Sequence, residues 1–480
     1  MHFYLVLISL VGLLVSLADK GQVENSAIVY IYTMIPDICN NTATDRWNTF
    51  PSYIEHVLNQ ALFTQQHAQP EKEGEIVLKS ALPVIFISNY KTCTQIKSRI
   101  IDKVEEFVQK MRSKSYHLDA LEIVDTSELE SSRTTQFFAS AENIFMASHG
   151  SLWIAAAARF FWLEDLMRVR GLTDLVHLEG DNLLYAPLAP LWPALRKHYP
   201  GLAVTPMDAN KSGLTASFFW VPSMATLVDF TDYMLELSRA NTTYVAYLGW
   251  LRRYACCMKG SGIAEDASGK GIKPFKVNEM TALAYYRASR RGAQPLFLLP
   301  IVPTYPYHTN RYTCNMSFYA PNAEMTGSSL YVLNDSSVPL QPSAIAGKGV
   351  LKGLAKADAY GSLFDPGSWG QYLGGTHKKS GRDKRYADSS HIVGQAISVN
   401  NCVATMQCGC VPGLHFRHYK TWNQTSVAKQ IIQGFAAPFV RCGKSTDLEQ
   451  TALHPLIQLH VHSKKVEEFV SFNSPCDCEL

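Results

Sequence analysis

Short apolar runs of strand length alternate with stretches of helical periodicity from about residue 27 to residue 240 of this 480-residue chain, and that alternation is what most restricts its fold. Residues 27–34 (AIVYIYTM) are β-rich, and Ile54, Val57, Leu58, Ala61 and Leu62 follow at helical spacing. Residues 82–88 (LPVIFIS) predict a second buried strand. Ile96, Ile100, Val104, Phe107 and Met111 mark one face of a second helix, and residues 121–124 predict a third strand. A long helical pattern from Leu152 to Arg170, stopped by Gly171, leads into a strand over 174–178, and a strand over 215–221 precedes a helix over 225–237. Strands separated by helices form parallel layered sheets, because a parallel return needs a crossover and the helices then cover the sheet faces. The predicted fold class is α/β: a Rossmann-type, mostly parallel sheet with helices on both faces and ligands near the strand C-termini.

Hydrophobic residues make up 47% of the chain and charged residues 18%, which excludes disordered and fibrous classes. With 44 basic against 41 acidic side chains the net charge is +3, which gives no general electrostatic reason to expect a nucleic-acid partner. An uncharged apolar run from Phe3 to Leu17 is followed by small residues suited to cleavage after Ala18. Its length as a helix, about 22 Å, falls short of a bilayer core of roughly 30 Å. Residues 1–18 are therefore expected to be a signal peptide, with a short signal-anchor as the alternative and membrane attachment only in that case. Six N-x-[ST] sequons, beginning at Asn40, Asn210, Asn241, Asn315, Asn334 and Asn423, fit a luminal address in the endoplasmic reticulum or Golgi, or secretion. In an oxidising compartment the six cysteines from Cys402 onward, out of eleven, are disulfide candidates that would tie down the tail.

The strand over 174–178 ends on charge. In DLVHLEGDNLLY an apolar strand delivers Glu179 and Asp181 two residues apart at its C-terminal edge. Two carboxylates there make a hard-oxygen site that can share one divalent cation with a diphosphate. The ion then neutralises the charge that develops on a departing nucleoside diphosphate, which is the chemistry of nucleotide-sugar transferases. A surface turn capped by Asn182 is the plain alternative. Residues 259–273 are rich in Gly, Ser and Lys and read as a loop, and beyond Pro303 few helical faces remain, which predicts a loop-rich extension. Within it, the basic run HKKSGRDKR, residues 377–385, is either a solvated loop or a phosphate contact.

The stretch RFFWLEDLMRVRGLTDLVHLEGDNLLY, residues 159–185, with the helix start APLAPLWPAL after it, resembles the DxD-bearing core of GT-A glycosyltransferases in an E-x-D form. LFDPGSWGQYLGG, residues 363–375, resembles a segment carried by some members with the same core. The resemblance implies a GT-A-like catalytic domain over 19–302 and an extension over 303–480 with an acceptor-side motif and a Cys-rich tail. It also implies sugar transfer from a nucleotide-diphosphate sugar to a glycan or glycoprotein acceptor, dependent on Mn2+ or Mg2+.

On that resemblance Asp181 contacts the metal directly, and Glu179 reaches it through water or holds the nucleotide ribose. Arg159 faces the donor phosphates, unless it forms an ion pair on its helix. Glu279, at the helix start in VNEMTALAYY, is the candidate base for an inverting transfer, in which the acceptor hydroxyl must lose a proton. Capping by Asn278 with an acidic first turn explains the same residue, and Asp266 is the runner-up. Asp365 would close the site from the far side, with Trp369 and Tyr372 offering stacking faces to a sugar. A late histidine, His377 or His391, would join the metal; a Gly-rich turn and surface histidines are the plain readings. Two other functions compete: a luminal glycoside hydrolase whose acids flank a sugar, and a catalytically silent carbohydrate-binding protein.

Overall fold

A computed structural model describes residues 25–32, 82–93, 96–97, 101–112, 121–129, 131–145, 152–180, 182–184, 188, 192–206, 214–255, 277–289, 296–299, 363–364, 403–407, 437–441 and 453–460. The leader, the first helical pattern after it, the 259–273 segment and the tail cysteines lie outside them.

Seven strands form the main sheet: β1 (Ser26–Tyr32), β2 (Val84–Ser88), β3 (Leu121–Asp125), β4 (Asp174–Leu178), β6 (Ala203–Pro206), β7 (Leu214–Val221) and β8 (Phe297–Leu298). Their order is β3-β2-β1-β4-β7-β6-β8. The first four are mutually parallel, and β7 runs antiparallel to both of its neighbours. The sheet is thus mixed, in a layered α/β fold of the expected class.

Alternate residues on each strand meet different helices. Ala27, Val29, Ile85, Ile87, Val124 and Leu175 share one core with α2 (Ser132–Phe145), α3 (Leu152–Arg170), α5 (Met224–Ser238) and α7 (Glu279–Ser289). On the other face Trp192 of α4 (Trp192–His198) packs edge-on against Trp220 at 5.3 Å. The remaining helices are α1 (Asp102–Arg112) and α6 (Thr242–Ala255). Among the described residues no helix is long and apolar enough to cross a membrane.

Central in the helical layer, α3 is buried on nearly every side from Ala157 to Met167, which explains why its sequence lacks a polar stripe. Its buried acids are all engaged. Asp165 accepts from Thr134 Oγ1 at 2.7 Å and pairs with Arg168 at 2.7 Å, while Glu164 pairs with Arg133 at 3.0 Å. The helix stops at Gly171, whose φ of 63° places it in the left-handed region, and the Leu172 amide returns to Met167 O at 3.0 Å. A Cβ on Gly171 would meet nothing within 4 Å, so Gly171→Ala carries only the backbone cost of that region, about 1 kcal/mol. Urea denaturation should show that loss; an unchanged midpoint would mean the helix end relaxes to another conformation.

At its entry, β4 is pinned by Asp174, which accepts from Ser26, from Trp192 Nε1 at 3.0 Å and from Arg196 Nε at 2.6 Å. Cys93, after β2, is buried and disulfide-bonded, and its partner lies outside the described residues. Sequence reasoning looked for bridges only in the tail.

The extension adds strands to the loops expected there. β10 (Val403–Gln407), β11 (Ala437–Arg441) and β12 (Leu453–His460) form a second sheet with β5 (Asn182–Leu184), the strand immediately after the E-x-D turn, and β9 (Leu363–Phe364) pairs with β12.

Candidate active site

The sheet order directs attention to one edge. β2 and β3 lie on one side of β1 and β4 on the other, so the strand order reverses between β1 and β4, and open α/β sheets hold their ligands outside the C-terminal ends of the strands at such a point. Glu179 emerges there. Its amide still donates to Ser217 O at 3.1 Å, and the turn closes when the Asn182 amide donates to Glu179 O at 3.0 Å. The Asn182 side chain also donates to Ser217 O at 2.6 Å, so it braces the turn to β7.

Leu175, His177 and Glu179 fall on the side of β4 that faces α3, because side chains alternate along a strand. From α3, Arg159 reaches down and bridges two carboxylates. One guanidinium nitrogen pairs with Glu179 Oε1 and the other lies 3.4 Å from Glu279 Oε1. His460, at the end of β12, places Nε2 3.0 Å from Glu179 Oε2. The Glu179 side chain is 23% exposed against 8% for Arg159, 8% for Glu279 and 2% for His460, so it is the member of the cluster that meets solvent.

Electrostatics separates the two acids. Burial raises the Glu179 carboxyl, but Arg159 and His460 together outweigh it and hold the group well below the usual carboxylate range. Burial pushes Glu279 up to about 7, with Arg159 opposing and Glu179 adding to the rise. Glu279 Oε2 is buried with no hydrogen-bond partner among the described residues. Asn278, the residue before it, caps α7 by accepting from the Thr281 amide at 2.9 Å. Glu279 therefore opens a capped helix, and its carboxyl lies beside the Arg159 guanidinium. Beneath Arg159, burial and then the guanidinium lower His177 to about 3, which keeps it neutral with Nδ1 3.1 Å from Val29 O.

Of the residues singled out by sequence, the fold brings Arg159, Glu179 and Glu279 together, while Asp181, Asp365, Trp369, Tyr372, His377, His391 and Asp266 lie outside the described residues. Sequence reasoning missed His460 and His177. Each is a polar residue on an alternate position of a strand, in LHPLIQLH, which also carries His454 and Gln458, and in DLVHL, and that pattern was the available signal.

No protein-family model matches the chain, and no curated protein matches it. Among solved structures it is similar to mouse xyloside xylosyltransferase 1, with 11% identity and a TM-score of 0.30 over 57% of this chain and 85% of that one. It is also similar to a cytidylyltransferase from Leptospira borgpetersenii serovar Hardjo-bovis, with 11% identity and a TM-score of 0.23 over 48% of this chain and 73% of that one. Likenesses this loose carry no argument about function.

Proposed function

We propose that this chain is a glycosyltransferase that moves a sugar from a nucleotide-diphosphate sugar to a glycan or glycoprotein hydroxyl in the lumen of the secretory pathway. The observation that carries the reading is the convergence of Arg159 and His460 on the E-x-D glutamate at the switch point of the sheet, with Glu279 on the same guanidinium. Open α/β sheets bind their ligands at that point. Glu279, raised to about 7, has the proton affinity that suits a general base working near neutrality. The disulfide at Cys93 supports an oxidising compartment.

A divalent cation, Mn2+ or Mg2+, would supply Lewis-acid neutralisation of the leaving diphosphate. The described residues do not by themselves fit such an ion. Both Glu179 oxygens are engaged, one by a guanidinium and one by an imidazole, and no three His, Cys, Asp or Glu side chains among the described residues are placed to hold an ion. Direct contact with an ion would rest on Asp181. A hydrolase reading is disfavoured, because Glu179 and Glu279 converge on one guanidinium instead of facing each other across a sugar.

Thermal melting with UDP- and GDP-sugars, with and without Mn2+, tests the reading. A true donor at a hundredfold excess over its Kd should add about 2.7 kcal/mol to stability. Asp181→Ala should remove the Mn2+-dependent part of the shift. If no nucleotide shifts the melt under either condition, the transferase reading fails.

A further inference from the structure

Two motif-like stretches, residues 159–185 and 363–375, are far apart in sequence, and nothing in the main sheet's strand order joins them. β12 does. Its last residues pair antiparallel with β5, with His460 opposite Asn182, Leu459 opposite Leu183 and Gln458 opposite Leu184. Its middle pairs in parallel with β9, with Leu456 opposite Leu363 and Gln458 opposite Phe364, the residue before Asp365. Phe364 in turn packs edge-on against Phe218 of β7 at 4.8 Å, and Phe218 lies opposite Leu178 at the end of β4. At its beginning β12 is held by β11, with Leu453 opposite Arg441.

We propose that β12 is the clasp that assembles the site, and that His460 is the positioning residue through which it acts on Glu179. A strand of three residues, such as β5, has too few ladder bonds to persist without a partner, so the backbone after the E-x-D turn depends on β12. The side chain is held as well. Arg159 takes one oxygen of Glu179 and His460 the other, so the carboxylate is fixed at two points from two elements, α3 and β12. His460 is buried, so the donor end of that hydrogen bond is shielded from water while Glu179 keeps its solvent-facing side. Fixing the carboxylate before a ligand arrives removes the cost of ordering it on binding. The effect on donor binding rests on the transferase reading, whereas the effect on the turn does not.

Hydrogen–deuterium exchange of the full chain tests the clasp without any ligand. In His460→Ala, residues 179–184 should exchange at least tenfold faster while β1 and β2 keep their protection. In His460→Gln, whose amide still donates to the carboxylate, protection should return. Should the alanine variant lose protection in β1 and β2 too, His460→Leu, which keeps the volume and drops the hydrogen bond, takes its place. UDP with Mn2+ is the binding probe, and its affinity should fall tenfold or more in the alanine variant and recover in the glutamine one. Unchanged exchange over 179–184 in the alanine or leucine variant overturns the clasp, as does a glutamine variant that exchanges as fast as alanine. Failure of the native chain to bind UDP counts against the donor reading alone, since exchange still decides the clasp.

Discussion

Arg159→Met is expected to destabilise the fold by about 3 kcal/mol at neutral pH, near the lower end of what breaking a buried ion pair costs. The guanidinium is the shared counter-charge of Glu179 and Glu279, and its side chain is only 8% exposed, so water cannot readily take its place. The loss is held to the lower end because each acid has a way out. Glu179 meets solvent, and Glu279, already at about 7, takes a proton once its cation is gone. The penalty should therefore grow at alkaline pH, where that proton is no longer available. Denaturant titration at pH 7 and pH 9 measures both quantities. A cost below about 1 kcal/mol at both values would place Arg159 among ordinary surface ion pairs. In the double variant with Glu279→Gln the two effects should not add, because the residues share one interaction.

Glu279→Gln should change how stability depends on pH. The folded chain raises this carboxyl from 4.5 to about 7, a difference worth on the order of 3 kcal/mol. Folded protein therefore holds the proton more tightly than unfolded protein does, and the sign follows from linkage. The contribution is fully present below about pH 4.5, is lost as pH rises, and is gone above about pH 7. Glutamine does not titrate, so the stability of the variant relative to the native chain should climb across that window and level off beyond it. Unfolding free energies at half-unit pH intervals measure the climb. A flat difference curve would show that Glu279 ionises normally and would remove the physical basis for its role as a base near neutrality.

Much of the fold was legible because it rests on local rules. The strand over 174–178 and the helix over 152–170 appear at the bounds read from apolar runs and from the stop at Gly171. β1, β2, β7 and α5 lie within one or two residues of expectation, since a buried strand is a short apolar run and a packed helix shows its apolar period. The extension was less legible. β9 has two residues and β5 three, too short to leave a periodicity, and each exists because β12 supplies its partner.

The candidate site divides along the same line. Glu179 was readable from the sequence alone, because a strand that ends on E-x-D announces its charge at a defined edge of the sheet. Arg159 and Glu279 were readable as residue types at helix positions, but not as partners of one another. His460 was not readable as part of this site, since pairing between strands is non-local and the alternating polar residues of LHPLIQLH do not say which segment they meet. Sequence by itself determined the strands and helices that carry a clear apolar pattern and the strand that ends on Glu179, because each depends on residues close together in the chain. Only the tertiary structure decided that one guanidinium serves two carboxylates, that their proton affinities move apart, and that the far end of the chain closes on the E-x-D glutamate. Those outcomes depend on burial and on distances between segments, and both are set by how the sheets pack.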